Sequence, residues 1–197
     1  MVKGPAGTPA SRAALSREAV VAAAVALADE GGLEGLSIRR LAARLGAGPM
    51  TLYWHVANKD ELLDLVLDTL VGEVPLPPAE GEWDARVAVT ARGIRATCLA
   101  HRRIAPLLAT RPALGPHAVR LAEELTAVLA QSPVPPAAVR PAYLAVLRYA
   151  IGAAVADCRT GDDVPAGPSG DLDDGEAAFE LGLAALLHGL PAVAPVA

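Results

Sequence analysis

Aromatic residues make up only 3% of the 197 positions: one Phe, two Trp and three Tyr. A core must therefore be built from Leu, Val and Ala, a mixture that favours close helix packing over sheets rich in aromatic and β-branched side chains. The two cysteines, Cys98 and Cys158, are too few for a disulfide framework or a thiolate metal centre, and both sit in apolar helical patterns, which reads as buried free thiols. Long apolar runs are also missing. Leu62 to Val71 is interrupted by charge and Ala150 to Ala156 is short, whereas a membrane span needs about 20 apolar residues. Met1 to Ser16 has no apolar centre ahead of a cleavage site and so does not resemble a secretory signal, which points to a cytoplasmic protein without a membrane partner. What is abundant is hydrophobic residues, 53%, against 20% charged, enough to build a substantial core and incompatible with a disordered chain.

The net charge of −5 is that of an acidic protein, but it is unevenly spread. Residues 1–60 carry seven Lys and Arg against five acids, net +2, while the other 137 residues carry ten against seventeen, net −7. A basic front end on an acidic body can meet phosphates on one surface and keep the rest soluble. So small an excess is also within chance, and the motif inside those residues has to decide.

Residues 1–15, dominated by Gly, Pro, Ser and Ala, read as a mobile arm. Ser16 caps a first helix that carries Ala19, Val20, Ala23, Ala24, Leu27 and Ala28 at helical spacing and stops at Gly31-Gly32. Ser37 caps a second, Ile38 to Leu45, with Arg39, Arg40 and Arg44 facing outward. Gly46-Ala-Gly48 breaks it, and Pro49 opens a third, to about His55. Asn58 caps a long fourth helix through Val71, and Pro75 to Glu82 then turns the chain. Five further helical stretches follow: Trp83–Ala100, Ile104–Ala109, Pro116–Ala130, Pro136–Arg159 and Glu176–Leu190, the last two separated by an aspartate-rich loop, Gly161 to Gly175. The expected fold is all-α: a helix-turn-helix unit over residues 16–60 and a helical ligand-binding and dimerisation unit over 61–197.

The pair of short helices around Gly46 carries the strongest signal. A helix-turn-helix needs small residues where its helices cross and apolar residues inward, and Ala42, Gly46 and Leu52 meet that need. Generic helical hairpins do so as well. Thr51, Tyr53, Trp54 and His55, however, crowd aromatic and hydrogen-bonding groups into one exposed turn, which is poorly soluble unless a large partner covers it. For Trp54, packing inside the small unit is the alternative to a phosphate contact. Leu52 is expected to be wholly core.

These residues also carry a family resemblance. Leu33-Glu-Gly-Leu-Ser-Ile-Arg-Arg-Leu-Ala-Ala-Arg-Leu-Gly46, Thr51-Leu-Tyr-Trp-His-Val56 and Asn58-Lys59 resemble the DNA-binding domain of the tetracycline repressor (TetR) family of bacterial regulators over roughly residues 17–65. The order of Gly81-Glu-Trp83, His101 and Thr110-Arg-Pro112 is similar, more weakly, to the regulatory domain of its tetracycline-responsive branch. The resemblance implies a homodimeric repressor released from DNA by a small effector. It gives Arg39 the reading of a guanine edge, to which a guanidinium is suited in bidentate fashion. Pro49, Met50 and Thr51 match the leading edge of the recognition helix. Tyr53, Trp54 and His55 match the phosphate-anchoring segment, with Ser37 and Lys59 beside it, the latter at a helix N-terminus that favours anions.

No cofactor, metal or catalytic set is expected. Gly46-Ala-Gly48 lacks the third glycine and preceding strand of a dinucleotide fingerprint, and His101, His117 and His188 have no ligand partner at i+4. The two C-terminal helices carry small residues, Ala150, Gly152, Ala153, Ala154 and Ala156 on one and Ala177, Ala178, Gly182, Ala184, Ala185 and Gly189 on the other. That is more small apolar surface than one small body hides, and a dimeric four-helix bundle accounts for it. Such a twofold dimer would read a palindrome of double-stranded operator DNA with half-sites about 34–36 Å apart. The effector pocket is expected between the fourth helix and Thr90, Ile94, His101, Leu107, Thr110, Arg111, Glu124, Tyr143 and Leu147, the last two from pattern alone. In the tetracycline-binding branch histidines and an asparagine hold the drug and its magnesium. Those positions fall near Pro75, Thr90 and Leu107 or Leu108, which implies an apolar effector other than magnesium-tetracycline. The readings kept beside this one are a constitutive DNA-binding regulator without effector and an all-α enzyme.

Overall fold

In the computed structural model, residues 15–158 and 175–193 are described. The amino-terminal arm and the aspartate-rich loop fall outside them, apart from Leu15 and Gly175. The helices are α1 (Arg17–Gly35), α2 (Ile38–Arg44), α3 (Pro49–Leu52), α4 (Lys59–Gly72), α5 (Trp83–Ala100), α6 (Ala105–Thr110), α7 (Pro116–Ala130), α8 (Val139–Asp157) and α9 (Gly175–Gly189), with 3-10 turns at Pro136–Ala138 and Leu190–Ala192.

Three of the sequence-read caps have the expected chemistry. The Ser16, Ser37 and Asn58 side chains accept from the N–H groups of Ala19, Arg40 and Glu61 at 3.1, 3.3 and 2.8 Å. Two boundaries differ. Helix α1 does not stop at Gly31-Gly32 but kinks at Gly32, whose φ of 67° only glycine adopts easily, and resumes to Gly35. Helix α3 ends at Leu52, well before His55: the N–H groups of Trp54 and His55 bond only three residues back, to Thr51 and Leu52 at 3.3 and 2.9 Å. Tyr53 is 48% exposed and Trp54 88%, so the two bury too little apolar surface to hold a longer helix in place.

Two aliphatic cores result. The first joins α1, α2 and α3 to one side of α4 through Val20, Leu27, Leu41, Leu52, Leu62, Val66 and Leu70. The second joins α5, α7, α8 and α9 through Val87, Ile94, Leu125, Leu129, Val146, Phe179 and Leu183, with Val71 and Val74 at the far end of α4 against it. Each buried Leu, Ile or Val contributes about 1.5–3 kcal/mol. Helix α4 thus belongs to both. The stretch Pro136–Asp157 is, against the sequence expectation, long and apolar enough to cross a membrane by composition. In this fold it is the central helix of the second core, packed on α5, α6, α7 and α9, with 33% of its apolar window buried there.

One buried acid ties α4 to that core. Asp68 accepts from the backbone N–H groups of His117 and Ala118 at 3.4 and 3.1 Å and from His117 Nδ1 at 3.0 Å, capping α7 from a neighbouring helix. Asp68→Ala leaves those donors without acceptor and is expected to cost about 1–3 kcal/mol in urea unfolding, with Asp68→Asn closer to wild type. A loss below about 0.5 kcal/mol for the alanine variant would remove this tie from the account.

Candidate nucleic-acid interface and effector cavity

The turn between α2 and α3 is set by Gly46, whose φ of 61° reverses the chain tightly enough to hold α3 across α2. Leu52 is fully buried, as expected, and the other three residues of α3 face solvent. Met50 is 74% exposed and Trp54 88%, with Tyr53, Pro49 and Thr51 also exposed and His55 half-buried. Packing inside the unit is therefore not what holds Trp54.

The three arginines of α2 are not equivalent. Arg44 grips Glu30 of α1 through two contacts of 2.8 Å, and the Arg40 guanidinium folds back on the α1 backbone near Gly31 and Gly35. Arg39 is exposed and, like Arg40, has no ion-pair partner among the described residues, so both guanidiniums keep donors to spare. Ser37 spends its hydroxyl oxygen on the α2 cap. Lys59, exposed at the start of α4, reaches the Leu33 carbonyl at 3.5 Å.

The first turns of α4 carry Asp60, Glu61 and Asp64, an acidic cluster that would repel phosphate. It is neutralised from outside: Arg111 bonds Asp64 at 2.7 Å and Asp60 at 3.0 Å, and Arg17 pairs with Glu61. Glu61 also accepts at 2.6 Å from the N–H of Ala57, the residue before the Asn58 cap. Neighbouring carboxylates hold the Arg111 pKa above its usual value, Asp64 foremost and then Asp60.

A small cavity of about 30 Å³ lies where α4 meets the second core. It is lined by Leu70, Val71 and Val74 from α4 and its end, Ile94, Thr97 and Cys98 from α5, Leu108 from α6, Leu121 from α7, and Leu147 and Ile151 from α8. Burial pushes the Cys98 thiol up to about 12, so it lines this wall as a neutral group. Of the nine residues read from sequence as effector contacts, Ile94 and Leu147 reach this cavity. Thr90 is buried and donates to the Pro75 carbonyl at 3.0 Å. Leu107 faces the first core and Leu108 the cavity, because adjacent helical residues point about 100° apart. Thr110 donates to Leu107 O at 3.3 Å, Arg111 is held by α4, Glu124 is exposed, and Tyr143 packs half-buried on the second core. His101 lies between Asp29 and Glu73. Leu121 was legible in the periodicity of α7; Thr97 and Ile151 carried no signal apart from their helices.

Comparison with known proteins bears on this arrangement. Residues 20–66 match bacterial regulatory proteins of the tetR family, and residues 74–165 match the tetracyclin repressor-like C-terminal domain. The chain is also similar over 91% of its length to ActR of Streptomyces coelicolor, solved in complex with actinorhodin, at 30% identity and a TM-score of 0.81 over 98% of that chain. The apo form of ActR matches at 32% identity over 96% of its length, with a TM-score of 0.80. This chain belongs to the TetR family. A Saccharopolyspora erythraea HTH-type transcriptional regulator is 41% identical over 144 residues, 73% of this chain and 61% of that one. The chain spans between half and two thirds of the length of the curated relatives it matches first. BioQ, solved with its double-stranded DNA operator, is similar at 29% identity and a TM-score of 0.73, over 91% of this chain and 99% of that one.

The exposure of Trp54 is directly measurable. In a Trp83→Phe variant, Trp54 is the sole tryptophan and is expected to emit at long wavelength and to be quenched by iodide nearly as readily as a free indole. A blue-shifted, protected emission would contradict the exposed surface described above.

Proposed function

We propose that this member of the TetR family is a cytoplasmic, non-enzymatic transcriptional repressor that binds a palindromic operator as a homodimer and is released by a small, largely apolar effector. What supports the reading is the exposure of Arg39 on α2, of Pro49, Met50, Thr51, Tyr53 and Trp54 on α3 and the turn after it, and of Lys59 at the start of α4, with Ser37 and His55 half-buried. Arg39 supplies a fork for a guanine O6 and N7, Met50 and Pro49 press on thymine methyls, and Thr51 reads base or phosphate. Tyr53, Trp54, His55 and Lys59 anchor the backbone on either side. The operator complex of BioQ supports the same use of this fold.

The effector reading rests on the cavity. Its walls are aliphatic apart from Thr97 and Cys98, and none of the residues found there is a nitrogen ligand suited to a magnesium-bound drug. The cavity is far below the roughly 300–1,000 Å³ of a small-molecule site, so a ligand must part α4 from α5 and α8 to enter. That small volume is also what favours the second reading, a regulator without effector. ActR, bound to actinorhodin, supports the first. A ligand that prefers the DNA-incompetent state about 100-fold supplies about 2.7 kcal/mol of release.

For the dimer, exposure separates the small residues of α8 and α9. Ala150 and Ala154 are buried in this chain's own core, whereas Gly152 and Ala156 on α8 and Ala177, Ala184, Ala185 and Leu181 on α9 face outward, Leu181 at 74% exposure. Arginine at Gly152 or Ala185 would place unpaired charge in the proposed seam and is expected to yield monomers by sedimentation with the helical content kept. Folded dimers of both variants would refute the bundle.

For DNA, selection from a random duplex pool is expected to return a palindrome. Against that duplex Arg39→Ala is expected to cost about 1–3 kcal/mol per half-site and to relax one base pair, while Lys59→Ala weakens all sequences alike and lowers the salt slope by about one for each phosphate the ammonium neutralises. Uniform loss on every sequence for Arg39→Ala would remove it as a reader. Tetracycline with magnesium is expected neither to bind at micromolar concentration nor to release the duplex.

A further inference from the structure

His101 ends α5 at the place where the two cores meet. Its backbone leaves the helix with φ −113° and ψ 50°, and its carbonyl accepts from the N–H groups of Ile104 and Ala105 at 2.8 and 2.9 Å, which fixes the residue in position. Its ring, 13% exposed, lies between two helices of the DNA-binding side. Nδ1 is 2.9 Å from Asp29 Oδ2 on α1, and Nε2 is 3.0 Å from Glu73 Oε2 at the end of α4. A neutral imidazole has one N–H and one bare lone pair, so in either tautomer one carboxylate would face a lone pair at hydrogen-bond distance. Only the imidazolium donates to both.

The other charges nearby are engaged elsewhere. Arg103 donates to the backbone carbonyls of Asp29 and Glu30, Arg102 to the carbonyl of Asp157, and the Glu30 carboxylate is held by Arg44. Among the described residues, His101 is the ion-pair partner of both the Asp29 and Glu73 carboxylates. We propose that His101 is a proton-operated clamp, which while protonated ties the end of α4 to α1 and so fixes the DNA-binding unit against the regulatory core.

Partial burial opposes the charge, but hydrogen bonds to Glu73 and Asp29 outweigh it and hold the imidazole pKa above its ordinary 6.5. The clamp's contribution is therefore complete below pH 6.5 and is lost as pH rises through the higher folded-state value. Loss of the proton to solvent leaves one N–H for two carboxylates, and either the α1 or the α4 contact opens. The structural clamp stands without the proposed function; its effect on operator binding rests on that reading.

Histidine ring NMR on the full chain tests it, with His101 assigned among four histidines by elimination in His55→Gln, His117→Gln and His188→Gln. Both ring nitrogens are expected to be protonated at pH 6, with a midpoint above 6.5 that falls in Asp29→Asn and in Glu73→Gln. A midpoint at or below 6.5, or one unmoved by both substitutions, overturns the clamp even if His101→Gln does not fold. If it folds, its deficit in melting temperature should be greatest below pH 6.5 and shrink at higher pH; a deficit independent of pH overturns the proposal. On the selected duplex, in a His55→Gln background that removes the interface histidine, operator affinity is expected to vary between pH 6 and 8.5 and to lose that variation when His101→Gln is added. An equal slope with and without His101 contradicts the regulatory role. Failure to select any duplex contradicts the proposed function and leaves the clamp to the NMR result.

Discussion

Helix α4 buries two different apolar surfaces in two different cores, and the rest of the molecule is arranged around that fact. Leu62, Val66 and Leu70 seal the helix-turn-helix unit, while Val71, with Val74 just beyond, closes the second core. Burial of this kind is non-directional and would allow a helix to slide or roll. The polar contacts along α4 remove that freedom: Arg111 on Asp60 and Asp64 at its start, the Asp68 cap of α7 at its middle, and Glu73 on His101 at its end. A rod fixed at three points along its length transmits displacement as tilt, and its first turn lies beside the DNA-facing surface.

The same contacts shape the electrostatics of that surface. The acidic start of α4 would repel phosphate, yet Arg17 and Arg111 cancel it, and the second of these comes from the regulatory side. Among the described residues, Arg39 and Arg40 on α2 and Lys59 on α4 are left without an ion pair. A net charge of −5 is thus compatible with nucleic-acid binding because the cations that matter have few local competitors, and because Arg44 is spent on internal architecture.

Most of the fold was legible. Helical periodicity, Ser16, Ser37 and Asn58 as caps, and Pro49 and Pro116 at first helical positions placed the elements within a few residues. The exposure of Thr51, Tyr53 and Trp54, which are proposed to meet DNA, was legible from the crowding of aromatic and hydrogen-bonding groups into one short turn. The end of α3 was misread since local pattern does not reveal how little of Tyr53 and Trp54 is buried. The lining of the cavity was the least legible part. A single step along a helix turned Leu107 away from the cavity and Leu108 into it, and Arg111 and His101 were claimed by carboxylates more than twenty residues away in the chain, which no periodicity encodes.

The central claim is that the cavity and the DNA surface are linked through α4, and it is tested most directly without knowing the effector by filling the cavity from its far wall. Leu147→Trp on α8 adds more volume than the cavity holds and pushes toward α4 from a residue remote from DNA. Overpacking of this sort costs about 1–3 kcal/mol of stability, which a two-core protein of this size tolerates. The account predicts a folded dimer whose affinity for the selected duplex falls at least about tenfold, or 1.4 kcal/mol. A folded Leu147→Trp protein that binds the duplex as tightly as wild type would contradict it.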